Sequence, residues 1–166
     1  AQAAEPGDLV FFHDYHLMTA PLHLRKLRPD AKSAFFLHIP FPPYDVYRIL
    51  PWYRELLRGV LSCDLVGLHC PGYVSNFLDC VERLLGERVD RKEGLVEHGD
   101  RIVRVGAFPL GIDYRAQEAL AQSGKSGFKG EELIVLGVDR LDYTKGIPER
   151  LRAQLVGPGT ADHTTA

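Results

Sequence analysis

Three short clusters of polar side chains have residue types and spacings that could carry chemistry. The first, residues 13–16 (His-Asp-Tyr-His), directly follows an apolar run. These residues could bind a metal ion, act as a general-base pair, or cap the end of a strand. A metal site needs a third ligand, and the sequence alone does not bring His38 or His69 within reach. All three interpretations therefore remain open for this cluster.

The second cluster places His38 before a proline-rich loop. Pro40, Pro42 and Pro43 lie within four residues of one another. Because each proline ring restricts φ, the loop should be stiff and could hold His38 in one orientation against a ligand. A rigid turn beside a structural histidine would have the same pattern. The sequence therefore predicts a fixed His38 and leaves its role open.

The third cluster, residues 137–148, runs from an apolar segment into a loop that contains Arg140 and Lys145. A proline follows in the position that suits the first turn of a helix. Two cations beside a helix N-terminus favour an anion, because unpaired backbone N–H groups and the helix dipole add to their charge. The loop matches neither the Walker A pattern nor the G-x-G-x-x-G fingerprint. It predicts a diphosphate site, with a pair of solvated surface cations as the alternative.

The elements that position these clusters show strand and helix patterns in alternation. Short apolar runs, typical of strands buried in a parallel sheet, are found at residues 8–13, 33–37, 65–68 and 133–138. Helical spacing of apolar residues is found at residues 21–28, 54–61 and 73–85, and a hairpin pattern at residues 96–105. This order predicts right-handed βαβ units in an open, doubly wound α/β sheet. Such folds bind ligands at the carboxyl ends of their strands, where the three clusters lie.

Composition and charge exclude several classes of function. The chain has 166 residues, 45% of them hydrophobic, and a net charge of -2 from 20 Lys+Arg and 22 Asp+Glu. This balance leaves no excess of positive charge that would attract nucleic acid or an acidic membrane surface. No apolar run approaches the ~18 residues of a membrane span. The 3 cysteines lack the paired spacing of structural zinc sites and predict reduced thiols in a cytoplasmic protein.

The chain is expected to contain parts of two domains. A glycine- and lysine-rich stretch without periodicity, residues 122–132, is typical of a connection between units. We predict one Rossmann-like domain over residues 1–121 and the start of a second over residues 133–156. Residues 157–166 lack apolar anchors and are predicted to be a disordered tail. Ala1 stands where a complete chain would have Met, so we expect a fragment.

Longer motifs in the chain resemble the trehalose-6-phosphate synthase family. The motifs are HDYHLM (13–18), FFLHIPFPP (35–43), RILPW (48–52), LLRGVLSCDLVGLH (56–69), FPLGID (108–113) and GVDRLDYTKGIPERL (137–151). They occur in order over about residues 8–151, and the resemblance stops after Leu151. The segment VDRKEGLVEHG (89–99) looks most similar to animal, particularly invertebrate, members.

This resemblance implies a metal-independent retaining glycosyltransferase of the GT-B type, with two facing Rossmann-like domains and no cofactor. It would transfer glucose from UDP-glucose to glucose 6-phosphate, forming trehalose 6-phosphate and UDP. These two substrates are the implied partners, and a homo-oligomer or a complex with a trehalose-phosphate phosphatase stays open. The chain would carry the later half of the N-terminal, acceptor-side domain and the first βα unit of the C-terminal, nucleotide-sugar domain.

Matched motif by motif, the resemblance implies a role for individual residues. Asp14 would hydrogen-bond the acceptor sugar, and Ile39 would help to shape the acceptor pocket. His38 would contact the donor glucose near the reacting centre. Arg140 and Lys145 would bind the donor diphosphate and stabilise negative charge on UDP as it leaves. Preorganised cations can do this without a metal ion.

Other parts of the family's substrate sites would precede Ala1 or follow the end of the chain. We therefore expect the 166-residue chain alone to have no useful synthase activity. Three alternatives to the synthase interpretation are kept. They are a related transferase with another acceptor such as glycerol phosphate, a non-catalytic synthase-like regulatory subunit or truncated isoform, and a metal hydrolase built on residues 13–16.

Overall fold

The computed structural model describes Glu5, residues 7–124 and residues 136–155. The chain divides into two units, Ala1–Gln117 and Glu118–Ala166. Residues 125–132 of the predicted connection and the predicted tail, residues 157–166, lie outside the described residues.

A six-stranded sheet forms the centre of the first unit. It contains β1 (Leu9–His13), β2 (Lys32–Phe36), β3 (Leu65–Leu68), β4 (Arg88–Asp90), β5 (Leu95–His98) and β6 (Arg101–Ala107). The strands lie in the order β1-β2-β3-β6-β5-β4. The three strands predicted in this unit are confirmed, with ends that differ from the prediction by at most about one residue, as is usual for such boundaries. The predicted burial is wrong for one face of β1, where Leu9 and Phe11 are 62% and 51% exposed.

The expected parallel arrangement is confirmed for β1, β2 and β3; β6 also runs parallel to β3, whereas β5 and β4 are antiparallel to their neighbours. The reason is local. The predicted hairpin is formed by β5 and β6, and Gly99 in its turn has a φ of 63°. Because a two-residue turn can join only antiparallel strands, β5 must run against β6. The sheet is therefore mixed.

Helices connect the parallel strands and pack on one face of the sheet. They are α1 (Ala20–Leu27), α2 (Tyr44–Tyr47), α3 (Tyr53–Leu61) and α4 (Pro71–Cys80), with α4 continuing as a π-helical turn, Val81–Leu85. Gly86 ends this turn with a φ of 76°, as its position after the periodic apolar residues predicts. A further helix, α5, covers Tyr114–Ser123. None of the described helices is long and apolar enough to cross a bilayer.

The hydrophobic core lies between this face of the sheet and the helices. Alternate residues of the parallel strands point into it, because successive side chains of a strand face opposite sides. The residues that the sheet contributes to this core are Phe35, Val66, Leu68, Val96, Val103 and Val105, and Leu37, directly after β2, is buried with them. Leu57, Val60 and Leu61 of α3, with Phe77 and Leu78 of α4, complete the contact. This packing holds the strand ends in a constant position.

At the amino-terminal edge of the parallel strands, one carboxylate accepts hydrogen bonds from residues of several elements. Asp64 accepts hydrogen bonds from Arg25 Nη2 at 3.0 Å, from Arg101 Nη2 at 2.6 Å and from the backbone N–H of Ser33 at 2.8 Å. Burial raises the pKa of Asp64, but these three hydrogen bonds together lower it below its ordinary value. Asp64 therefore joins α1, β2, β3 and β6 through its ionised form.

The cysteines are all free. Cys63 and Cys80 are buried and Cys70 is half-buried. Burial raises the pKa of the Cys63 and Cys80 thiols to about 12 each. These two thiols are therefore protonated and unreactive at neutral pH.

The second unit contains a 3-10 turn, Tyr143–Lys145, and a helix, α6 (Ile147–Leu155). The predicted strand at residues 133–138 is not confirmed where the structure describes it. Leu136 and Val138 belong to no strand and are 83% and 81% exposed. No described strand lies beside them, and apolar residues form a strand only when a neighbour satisfies their backbone groups.

Candidate functional site

The first two predicted clusters form one site at the carboxyl edge of the parallel strands. His13 ends β1 and is in register with Phe36 at the end of β2, two residues before His38. His13 Nδ1 lies 3.0 Å from His38 Nε2, within hydrogen-bond distance. We call His13, Asp14, His38 and His69 the strand-end cluster.

Asp14 has a strained backbone. Its φ of 68° and ψ of 170° are readily adopted by glycine and rarely by other residues. The N–H of Asp14 donates to the Phe36 carbonyl at 2.8 Å, and Asp14 Oδ1 accepts from the N–H of Tyr15 at 3.0 Å. Oδ2 has no hydrogen-bond partner among the described residues. A strained carboxylate with one unused oxygen is suited to bind a ligand hydroxyl.

The proline-rich loop after His38 is anchored by a buried ring. Phe41 is 2% exposed, stacks on Tyr47 with 4.8 Å between ring centroids, and meets Phe77 edge-on at 5.2 Å. Asn76 Nδ2 of α4 donates to the Phe41 carbonyl at 3.0 Å. The stiffness predicted from the prolines is thus completed by tertiary contacts. Ile39, 42% exposed, lies at the surface between His38 and this anchor.

His69 joins the site from the end of β3, and the sequence analysis did not place it there. His69 Nε2 lies 3.1 Å from the His38 carbonyl oxygen. Because a carbonyl oxygen only accepts, His69 is the donor. Phe36 packs edge-on against both rings, at 4.8 Å from His38 and 5.1 Å from His69. The signal that could have found His69 is its position directly after the apolar run of residues 65–68, much as His13 stands at the end of an earlier apolar run.

Close packing behind the histidines requires a residue without a side chain in β3. A Cβ atom on Gly67 would lie 2.7 Å from Cδ2 of Phe36 and 3.2 Å from Cδ2 of Phe108. Gly67 therefore lets the Phe36 ring lie flat on the sheet beneath His38 and His69.

The two histidines of residues 13–16 do not share a site. His16 stacks on Tyr15 with 3.8 Å between ring centroids, whereas His13 pairs with His38. Within the described parts of the chain, no group of three His, Cys, Asp or Glu side chains could hold a metal ion. The metal hydrolase interpretation gains no support from this geometry.

The other predicted residues, Arg140 and Lys145, lie in the second unit, in a segment we call the cationic loop (residues 139–146). The loop is built around Asp142, whose Oδ1 accepts from the N–H and Oγ1 of Thr144 at 2.9 and 2.8 Å. These hydrogen bonds lower the pKa of Asp142, and the charges of Arg140 and Lys145 lower it further. Asp142 is therefore an anion that shapes the loop.

The end of the cationic loop leads directly into α6. Gly146, with a φ of 58°, closes the 3-10 turn, and α6 begins at the next residue, Ile147. The side chains of Arg140 and Lys145 form no hydrogen bond or ion pair with another described residue. The predicted arrangement of two available cations before a helix N-terminus is therefore present. The structure brings His38 into contact with His13 and His69, joins the Asp14 backbone to Phe36, and places Arg140 and Lys145 in the other unit.

A family model and individual relatives of known sequence and structure all indicate the same protein family. The model of Glycosyltransferase family 20 matches residues 1–155. A trehalose-6-phosphate synthase from Mycolicibacterium vanbaalenii is 43% identical over 180 residues, covering 98% of this chain and 37% of that protein. The chain thus spans little more than a third of the length of that relative.

Solved structures show the same α/β fold. An α,α-trehalose-phosphate synthase (UDP-forming) from Burkholderia vietnamiensis has a TM-score of 0.77 and 34% identity, covering 92% of this chain and 34% of that chain. Another from Burkholderia xenovorans, in complex with glucose-6-phosphate, has a TM-score of 0.70 and 28% identity, covering 76% and 29%. These relatives are bacterial, so they do not support the expected likeness to invertebrate members.

Proposed function

The chain belongs to glycosyltransferase family 20, and we propose that it forms part of a UDP-forming trehalose-6-phosphate synthase. The reaction transfers glucose from UDP-glucose to glucose 6-phosphate with retention of configuration, giving α,α-trehalose 6-phosphate and UDP. The observation that carries the proposal is the contact between His38 and His13, the neighbour of Asp14, at the carboxyl edge of parallel strands. Ligands of open α/β sheets bind at this edge.

On the acceptor side, Asp14 and Ile39 bind glucose 6-phosphate in this proposal. The unused Oδ2 of Asp14 accepts a hydrogen bond from a sugar hydroxyl, and the strained backbone keeps the carboxylate in place. Ile39 offers an exposed apolar surface to the sugar ring. Support comes from the similar Burkholderia xenovorans synthase, which was solved in complex with glucose-6-phosphate.

On the donor side, His38 contacts the glucose of UDP-glucose, and Arg140 and Lys145 bind its diphosphate. Breaking the bond between glucose and UDP places negative charge on the phosphate oxygens. Cations that are already in position stabilise this charge more in the transition state than in the ground state. In this proposal the two cations stabilise the leaving diphosphate, as a divalent metal ion does in other transferases. The pair of carboxylates used by glycoside hydrolases has no role in this scheme.

We propose that the two substrates are the binding partners of the protein and that it acts in the cytoplasm. Both are soluble phosphorylated sugars, in keeping with local anion sites on a chain whose overall charge is near zero. The free cysteines are compatible with a reducing compartment.

An assay of UDP release tests this function in the complete natural protein that contains the sequence. We expect UDP and trehalose 6-phosphate from UDP-glucose and glucose 6-phosphate, with no loss of rate in a metal chelator. Asp14→Asn should lower the rate, while Asp100→Asn, a matched change in the exposed β5–β6 turn, should not.

Three results would contradict the proposal. Faster UDP release with glycerol phosphate than with glucose 6-phosphate would indicate a related transferase. Loss of the reaction in chelator would indicate a metal-dependent enzyme. No UDP release with any acceptor would favour a non-catalytic synthase-like protein.

A further inference from the structure

Two imidazole rings, His13 and His69, contact His38 in the strand-end cluster, at the ends of three neighbouring strands. His13 Nδ1 faces His38 Nε2 at 3.0 Å, and His69 Nε2 faces the His38 carbonyl at 3.1 Å. Ring centroids are 5.3 Å apart for His13 and His38 and 6.1 Å apart for His38 and His69. His38 is thus held through its ring by one histidine and through its backbone by another.

The position of His13 does not depend on the hydrogen bond alone. The ring of Phe11, on the same face of β1, lies 4.1 Å from the His13 ring between centroids. The backbone N–H of Asp14 donates to the Phe36 carbonyl at 2.8 Å, and that of Leu37 donates to the Gly67 carbonyl at 3.1 Å. These bonds fix the ends of β1, β2 and β3 side by side. His13 therefore meets His38 in one geometry.

This contact couples the tautomers of the two neutral rings, that is, which nitrogen of each ring carries the proton. A hydrogen bond between two imidazole nitrogens needs a proton on one and a lone pair on the other. If His38 Nε2 donates, neutral His38 has a bare Nδ1 that can only accept. If His13 Nδ1 donates, neutral His38 carries its proton on Nδ1, which can then only donate. The direction of this one hydrogen bond decides how His38 meets a ligand.

The chemistry of histidine favours the first direction. In neutral histidine the tautomer with the proton on Nε2 is the more stable one in water. When His38 Nε2 donates to His13 Nδ1, both rings adopt this tautomer, whereas the reverse direction forces both into the less stable form. His69 has a proton on Nε2 as well, since it donates to a carbonyl. One tautomer thus satisfies all three rings.

We propose that His13 is a positioning residue that holds His38 as the Nε2–H tautomer, so that His38 Nδ1 accepts a hydrogen bond from a hydroxyl of the donor sugar. Nδ1 of His38 has no hydrogen-bond partner among the described residues, and the side chain is exposed. The assignment of the sugar rests on the proposed function. The tautomer is argued from the contact between His13 and His38 together with the greater stability of the Nε2–H form.

The tautomer can be measured directly in this chain with ¹⁵N-labelled histidine. Long-range ¹H–¹⁵N correlation spectra at about pH 8, where an ordinary imidazole is neutral, separate the two nitrogens of each ring. We expect His13, His38 and His69 all to carry the proton on Nε2, and His13→Phe to shift His38 toward a mixture of tautomers. A proton on Nδ1 of His38, or a tautomer ratio unchanged in His13→Phe, would overturn the proposal.

Kinetics of the complete natural protein provide a second, independent measurement. His13→Phe keeps the ring against Phe11 and removes the acceptor, so kcat should fall at least ~10-fold with little change in KM for glucose 6-phosphate. His13→Asn places an amide oxygen near the position of Nδ1 and should restore the rate to within ~3-fold of wild type. His23→Phe, in the exposed part of α1, is the matched control.

Equal impairment of His13→Asn and His13→Phe, or wild-type kinetics in His13→Phe, would overturn the positioning role. The spectra do not depend on turnover. If the complete protein releases no UDP, the proposed function fails, while the tautomer measurement still decides the relation between His13 and His38.

Discussion

The strand-end cluster and the cationic loop are held in place by different kinds of contact. In the strand-end cluster, side chains from β1, β2 and β3 meet because hydrogen bonds between strands and a buried core fix the strand ends. In the cationic loop, the described hydrogen bonds join residues of the loop to one another or to α6 nearby. One cluster therefore depends on residues far apart in the chain, and the other on a few neighbours.

This difference suggests different consequences of mutation. A change in the core beneath the strand-end cluster should alter both stability and the site. A change in the cationic loop should alter ligand binding while leaving stability nearly constant, because Leu141 and Tyr143 there are almost fully exposed.

The largest expected effect comes from Phe41→Ala. The ring fills a core position between Tyr47 and Phe77, so its loss should cost about 3–5 kcal/mol of unfolding free energy. Tyr143→Ala removes a ring of similar size that is 94% exposed and should cost less than about 0.5 kcal/mol. Urea unfolding curves of the two variants measure the contrast. Similar losses in both would contradict it.

Arg140→Ala should have the next largest effect, on catalysis alone. If Arg140 stabilises the leaving diphosphate, kcat/KM of the complete natural protein should fall at least ~10²-fold, equivalent to about 2.7 kcal/mol. The unfolding free energy should not change, because the side chain has no ion pair with a described residue. The matched control is Arg152→Ala, an exposed arginine that pairs only with Glu149 among the described residues. Near-wild-type kinetics in Arg140→Ala would refute its role.

Two substitutions at Asp14 separate the effect of backbone strain on stability from the role of the side chain, and the expected effect is smaller. Asp14→Gly relieves the strained conformation, whereas Asp14→Ala keeps it and loses the hydrogen bond from Tyr15. The glycine variant should therefore be more stable than the alanine variant by about 1–3 kcal/mol, measured by thermal or urea unfolding. Both should lose acceptor binding in the same titration with glucose 6-phosphate. An alanine variant as stable as the glycine variant would show that the backbone is not strained.

The smallest effect concerns stability in acid. The pKa of Asp64 is lowered in the folded chain, so its ionised form stabilises the fold above the ordinary Asp pKa of ~3.9. This contribution is lost as the pH falls through the lowered value. Asp64→Asn should therefore flatten the loss of stability between about pH 5 and pH 2.

Asp142 provides the comparison in the cationic loop. Its pKa is also lowered, but among the described residues its carboxylate hydrogen-bonds only to Thr144, within the same loop. Asp142→Asn should leave the acid dependence of unfolding close to wild type. Equal flattening in the two variants would show that the loop contributes to stability as much as the sheet.

The local elements were predictable because their signals are local. Apolar periodicity placed β1, β2, β3 and α4 close to their observed bounds, since it reports which residues of one segment face a core. The same reasoning failed at residues 136–138, where apolar residues have no neighbouring strand among the described residues. A strand needs a partner that the segment itself does not specify.

The candidate site was predictable in most of its members and not in its contacts. His13, Asp14 and His38 could be selected because these polar residues stand at or just after the ends of apolar runs. The 3.0 Å contact between His13 and His38 depends on how β1, β2 and β3 align. The hydrogen bond from His69 to the His38 carbonyl depends on the same alignment. That register results from long-range pairing, and a shift of one residue would turn these side chains to the opposite face.

The sequence by itself determined the family, the order of strands and helices, and the residues that could carry charge and protons. Motifs, periodicity and residue type are properties of short segments and can be read without knowing what lies beside them. The tertiary structure alone decided which nitrogen of His13 faces which nitrogen of His38, that β6 pairs with β3, and that Asp64 hydrogen-bonds residues of α1, β2 and β6. Such contacts join residues tens of positions apart, and only the packed core brings them within hydrogen-bond distance.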